Sequence, residues 1–467
     1  MAIRRNIKWI VSIVIVYAIT SFITYGVTTP SYLFDDITAP ETADSFITPL
    51  NDFQEHRSIL YQEAMDPSFF PYLEDAVEEY SQPFISDTEL SLNVRSYYLN
   101  QQRTRIINPT SEAWAIGGEL DYKSGYWKDF LAIGASVYTT QKAYAPDGRD
   151  GTLLLGRGQN GFSVLGTSYV EFKFDKVKAR FYRQTIETPF VNRHDNRMIP
   201  NTFEAYVIGS RDLRPVSFIV GQITKMKTRN ENHFITIAER LGITEDTNGI
   251  TMAGARFHPN EDSRVGAINY YVWDAMNMVY SETAFAIDLP EPWTSSFNFQ
   301  FMDQRSVGEA LIGDFSGQEI GINFSLGYHS AILSLGFTRI YGDTIRSPFG
   351  GYPGYSSIIV DDFNRAGQET FILGFSYDFE DIGLDGLSFF TTYANSHTVG
   401  QIQPGVPEKS SEYDLTIDYR FPEDSILDNL WIRLRGAWVS GDNPAGAPTF
   451  QAINDYRIII NYTIPIL

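Results

Sequence analysis

The chain has 467 residues, no cysteine, 15% aromatic residues and a formal net charge of −21 at pH 7. The missing thiols remove disulfide frameworks, zinc–thiolate centres and thiol nucleophiles, and the negative balance argues against nucleic acid as a partner. The mean hydropathy of −0.19 still permits a membrane β-barrel, because only alternate residues of its strands face lipid.

Residues 1–26 read as an export signal. Arg4, Arg5 and Lys8 make a basic start, Trp9–Val27 is apolar, and Thr24 and Gly26 are small enough to precede a cleavage point. The same run would also suit an uncleaved helical anchor. Residues 27–86 follow as an N-terminal extension with an acidic cluster, Glu74–Tyr80, several prolines and no sustained alternation. Short helical pieces are expected there, and the sequence leaves open whether they enter a barrel or stay in the periplasm. An exported, acidic, cysteine-free chain rich in Tyr and Phe fits the envelope of a Gram-negative bacterium.

From Leu90 the apolar period becomes two. Leu90, Leu92, Val94 and Tyr98 share one face of the first run, and Ser91, Asn93, Arg95 and Tyr97 share the other. Eighteen such segments, this one included, run in chain order. They are 90–100, 111–121, 129–139, 162–174, 177–186 and 203–211; then 214–223, 250–258, 264–273, 277–288, 292–303 and 317–327; then 330–340, 367–379, 386–396, 410–420, 429–439 and 455–466. Their length suits tilted strands that cross a bilayer, which takes about 9–11 residues. The connectors alternate between short turns, such as Asp175-Lys176, and long loops, such as 140–161, 224–249 and 341–366. Residues 87–467 are therefore expected to form an all-β, 18-stranded antiparallel transmembrane barrel. A soluble sandwich or propeller is the alternative, but no internal repeat of 40–50 residues is visible.

The penultimate segment, WIRLRGAW, tests the idea. Ile432 and Leu434 want lipid; Arg433 and Arg435, on the opposite face, want water. An arginine turned to lipid at mid-depth costs roughly 2–4 kcal/mol. Trp431 and Trp438 are expected near the two interfaces. The same parity turns Arg95, Arg180, Arg256, Arg420, Arg433, Arg435 and Arg457 into the lumen, where a row of guanidiniums offers successive weak sites for a carboxylate. Each could instead pair with a lumenal carboxylate such as Asp414 or Asp418 and only stiffen the wall. Arg339 falls on the apolar face near a strand end, where snorkelling is expected.

Several pieces resemble the OprD-type porins, or outer membrane carboxylate channels. They include DTELSLNVRSYYLN (87–100), TPFVNRHDNRMIPNTFEAYVIGS (188–210), LWIRLRGAW (430–438) and DYRIIINYTI (455–464). RMIP at 197–200 and DFNRAGQE at 362–369 are the most specific. The chain departs from the family in its longer start and in ending on Leu467 instead of an aromatic residue. The resemblance implies a narrow, mostly monomeric channel of eighteen strands in the cell outer membrane. It implies a constriction loop, here about Glu187–Thr202 with Asp195, Arg197 and Pro200, and a lumenal basic ladder in which Arg433 and Arg435 take part. Asp195 and Arg197 could touch solute or tie the loop to the wall.

Enzyme signals are weak. Gly156–Gly161 matches G-x-G-x-x-G but lies in a polar loop with no helix to receive a pyrophosphate. His194 and His233 read as loop residues, and no metal spacing or cofactor motif appears. The expected function is passive, selective diffusion of small carboxylate-bearing solutes. An occluded barrel with a binding or structural role is the alternative, and an outer-membrane hydrolase a weaker third. Expected partners are such solutes, the bilayer with lipopolysaccharide, and the barrel-insertion machinery.

Overall fold

The computed structural model describes residues 84–467, except 86, 105–108, 211–212, 214, 246, 261–262, 288, 401, 403–405, 423–424, 426, 428 and 443–451. The expected signal and almost all of the expected extension lie outside the described residues.

One sheet carries the fold. Its strands are β1 Glu89–Arg103, β2 Thr110–Lys123, β3 Leu131–Tyr144, β4 Phe162–Phe174, β5 Val177–Gln184, β6 Thr202–Ser210 and β7 Val216–Lys227. Next come β8 Ile235–Thr236, β9 Ile250–Asn260, β10 Ser263–Val272, β11 Met276–Phe285, β12 Trp293–Ser306 and β13 Ser316–Tyr328. The last are β14 Ala331–Gly342, β15 Gln368–Asp378, β16 Leu387–Thr398, β17 Lys409–Arg420, β18 Leu430–Gly441 and β19 Ile453–Pro465. β8 is two residues in a loop and pairs with β7. The other eighteen run antiparallel, and β1 pairs with both β2 and β19, so the barrel closes. Closure leaves no edge unpaired in lipid. Each of the eighteen expected segments overlaps one barrel strand. The largest shift is in β3, expected to end at 139 and ending at Tyr144.

The strands form because β-branched and aromatic residues alternate with polar ones. On β18, Leu434 is 44% exposed, whereas Arg433 and Arg435 are buried on the inner face. Outward aromatics gather near both rims, where their amphipathic rings suit the membrane interface. Phe130, Phe172, Phe181 and Tyr206 make a chain of ring contacts at 5.2, 5.7 and 6.0 Å on the short-turn side. Tyr413, Trp438 and Tyr456 make another on the long-loop side, at 5.8 and 6.0 Å.

One expectation fails here and one gains a detail. Trp431 is not an interface anchor. It shares the parity of Arg433, whose guanidinium lies 4.4 Å from its ring centre, so the indole serves as a cation–π platform. Arg339 is outward near the end of its strand, and it has a partner. It pairs sideways with Glu369 on the neighbouring strand.

Candidate substrate passage

Two long loops turn into the barrel. The first, residues 185–201, lies between β5 and β6. Ile186, Phe190, Val191, Met198 and Ile199 are buried, and Phe190 meets Tyr270 and Tyr280 edge-on at 6.0 and 6.5 Å. The wall of β9–β12 answers with Met252, Ile268, Met278 and Met302, all 0–1% exposed. Burying this apolar face is what draws the loop inward.

Polar tethers fix its position. The Arg95 guanidinium donates to both oxygens of Asp195 at 2.6 and 3.2 Å, and to the Arg197 carbonyl at 2.6 Å. Tyr97 donates to the Asn196 carbonyl at 3.2 Å. Arg197 donates Nε to the Thr152 carbonyl at 2.9 Å. Lys227 donates Nζ to the Pro200 carbonyl at 2.9 Å. All three residues expected in the constriction therefore take part in tying the loop to its surroundings. His194 is a loop residue as expected, but buried and in contact with Arg229.

The second loop, residues 343–367, joins β14 to β15. Ile359 and Val360 pack with Ala437 and Val439; Ile358 and Phe363 pack with Ile372 and Ala394. Glu412 on β17 accepts from the backbone N–H groups of Val360 and Asp361, each at 2.7 Å. Asp414 accepts from Ile359 at 3.1 Å, and Arg457 on β19 donates to the Ile359 carbonyl at 3.0 Å. Successive N–H groups aimed at one carboxylate form an anion-binding nest. The two loops also meet. Asn192 donates to the Gly351 carbonyl at 3.1 Å and accepts from its N–H at 2.8 Å.

The seven expected ladder arginines all sit in strands at inward parity. Arg95 holds the first loop and also bonds Asn461 at 2.7 Å. Arg180 pairs with Glu171 at 2.5 Å and lies 4.1 Å over the Tyr169 ring. That ring lies so close to Gly134 that an added Cβ would sit 2.3 Å from it. Arg256 pairs with Glu282 at 2.6 Å. Arg433 takes Asp418 with two bonds of 2.7 Å. Arg435 donates to Thr416 at 3.3 Å. Arg457 pairs with Asp455 at 2.6 Å. Arg420 approaches the Trp431 ring at 5.5 Å. The structure thus brings Arg433, Arg435, Arg457 and Arg95 onto three neighbouring strands, with Arg435 directly opposite Arg457. Arg180 and Arg256 stand on other parts of the wall.

A family model described as outer membrane porin, OprD family, matches residues 82–466. The chain belongs to the OprD family. Porin D of Pseudomonas aeruginosa is 21% identical over 422 residues, covering 82% of this chain and 92% of that protein. The porin-like protein GalP of Pseudomonas putida is 21% identical over 334 residues, covering 68% and 80%. Among solved structures, OccK9 (OpdG) of P. aeruginosa aligns with a TM-score of 0.74 at 23% identity, covering 82% of this chain and all of that one. A BenF-like porin of Pseudomonas fluorescens gives 0.73 at 19%, with the same coverage. OprD-family proteins are outer-membrane channels, not enzymes.

For this OprD-family porin, sequence reasoning missed the second inward loop. The available signal was the apolar run Ile358–Val360, with Phe363, inside what should have been a solvated connector. It also missed Arg264, an inward residue 3.6 Å from Glu282.

The Asp195 tether gives a pH prediction. Burial opposes its ionisation, but the charge and hydrogen bonds of Arg95 outweigh that and hold the carboxyl below its usual range. A depressed folded-state value means the tether is intact above the ordinary value, about 3.9, and is lost as pH falls through the lowered one. Open-channel current noise should stay flat on acidification to about pH 4 and rise only below it. Asp195→Asn should show the extra noise at pH 7.

Proposed function

We propose that this porin is a passive, substrate-selective channel for small solutes bearing a carboxylate. The reading rests above all on the inner wall at β18 and β19, where Arg435 directly faces Arg457 and Arg433 lies two residues along. Like charges directly opposite one another destabilise a sheet. Asp455 offsets part of that repulsion, and the remaining positive field draws an anion toward this wall, although its arginines are largely covered. A guanidinium has five N–H donors, and the Asp418 carboxylate takes two of those on Arg433. Paired arginines can therefore still offer donors to a passing carboxylate. A succession of partly compensated sites binds weakly enough for release, which conduction requires. One matched structure is of OpdK with vanillate, and an anion of that kind is among the solutes such a wall would take. The reading also includes cleavage of residues 1–26, a monomeric barrel, contact with lipopolysaccharide and insertion by the barrel-assembly machinery.

Liposome swelling with a panel of matched carboxylates, amides and amines tests it. Carboxylates should enter fastest. Equal rates for each acid and its amide would refute the proposal.

The contact between Asn192 and Gly351 favours a second reading, a barrel whose lumen is closed by its own loops. Planar-bilayer recording separates the two. Discrete current steps support the channel, and silence from folded protein supports the closed barrel.

A further inference from the structure

The outer face of β14–β17 carries a feature that solute passage does not use. In sheet register, Arg339 lies opposite Glu369, Glu369 opposite His397, and His397 opposite Lys409. The parity of these four strands turns all four side chains away from the lumen. Arg339 and Glu369 form an ion pair, with the guanidinium also 4.7 Å over the Tyr341 ring. The His397 ring nitrogen is 3.2 Å from the other Glu369 oxygen. One carboxylate is thus held between two basic side chains, and Lys409 stands exposed beside them.

The residues beneath this row set its depth. Along β16 the outward side chains run Tyr393, Asn395, His397 toward the long-loop rim. Along β17 they run Tyr413, Ser411, Lys409 in the same direction. Asn395 is opposite Ser411, and Ser411 is opposite Ser440, whose hydroxyl is 3.0 Å away. On both strands the order is aromatic ring, then amide or hydroxyl, then basic group. Interface aromatics mark the edge of the hydrocarbon. The next groups therefore meet polar linkages of a lipid, and the basic groups meet its charged head.

Long loops mark the outer side of such barrels. We propose, resting on the lipopolysaccharide contact read above, that this row binds the phosphate of a phosphorylated glycolipid in the outer leaflet, with Lys409 as its principal contact and the His397 imidazolium as its second. Glu369 does not repel the phosphate, because Arg339 neutralises it. Glu369 also orients the His397 ring. The lipid's acyl chains lie against Phe371, Tyr393 and Tyr413 below. A free phosphate ion would gain nothing from that aromatic and hydroxyl shelf, so the lipid is the occupant.

Full-length protein in detergent, titrated with lipid A and read by native mass spectrometry, tests this. Wild type should retain lipid A and should bind its dephosphorylated form about tenfold more weakly, as expected when one charge-assisted hydrogen bond is removed. The His397→Gln/Lys409→Gln variant should show the same loss with intact lipid A. If that variant fails to fold, Lys409→Gln alone, at an exposed position, serves instead. Lys128→Gln, on the opposite rim, should bind as wild type does. The proposal is overturned by wild-type affinity in the folded β16–β17 variants, by equal binding of the dephosphorylated lipid, by an equal loss in Lys128→Gln, or by displacement of lipid A with millimolar inorganic phosphate.

Discussion

Replacing Glu412 and Asp414 together by alanine should raise single-channel conductance severalfold and admit larger solutes in swelling assays, with the barrel still folded. These two side chains are 0% and 1% exposed, and they hold three consecutive backbone N–H groups of the second inward loop. A hydrogen bond contributes about 0.5–1.5 kcal/mol net, and a buried group left without its partner costs about 1–3 kcal/mol. Losing three exceeds what a single loop segment ordinarily has in reserve, because loops come from the low-stability end of a fold. Arg457 also donates to the Ile359 carbonyl of the same segment, so a released loop uncovers a guanidinium on the basic wall. Releasing the loop should therefore increase anion selectivity as well as conductance. Unchanged conductance in a heat-modifiable, folded double variant would mean that the apolar contacts of Ile359 and Val360 suffice to hold the loop.

The second large effect is expected at the basic wall. Arg433→Gln/Arg435→Gln should lower carboxylate flux by about tenfold, the equivalent of removing one charge-assisted hydrogen bond from the path. The design must respect the Arg433–Asp418 pair. Removing one partner of a buried pair leaves an uncompensated charge, at a cost of about 3–5 kcal/mol. Arg435→Gln alone leaves that pair intact, and Arg433→Gln/Asp418→Asn removes both of its charges at once. If these two variants fold normally and pass carboxylates at the wild-type rate, the arginines brace the wall and do not guide solute. A fall in carboxylate flux with uncharged solutes unaffected is the pattern that a guiding role requires.

The strands were legible because each face answers to a single solvent. β17 and β19 show this best. Tyr413, Ile417, Ile458 and Ile460 face outward, while Glu412, Asp414, Asp455 and Arg457 face inward. β11 is the counter-example. Its buried inward residues are Met276, Met278 and Tyr280, and its outward ones include Asn277, Ser281 and Thr283. Hydropathy alone would turn that strand inside out. Its inner face is apolar because the first loop and the neighbouring wall cover it.

The ladder was legible only as parity. Arg95, Arg180, Arg256, Arg433 and Arg457 fall at inward positions, yet each has a carboxylate within 2.5 to 2.7 Å. Those partners come from other strands, from the same strand or from an inward loop. No local pattern announces which.

Alternation by itself determined that the chain closes into eighteen strands with arginines inside, since a period of two assigns every residue to oil or to water. Which arginines hold loops, which lie beside one another, and how far the passage narrows were decided by contacts between segments far apart in the chain. Arg95 with Asp195 and Glu412 with Val360 are such contacts. Their formation depends on the barrel's curvature and the loops' burial, and neither is encoded in neighbouring residues.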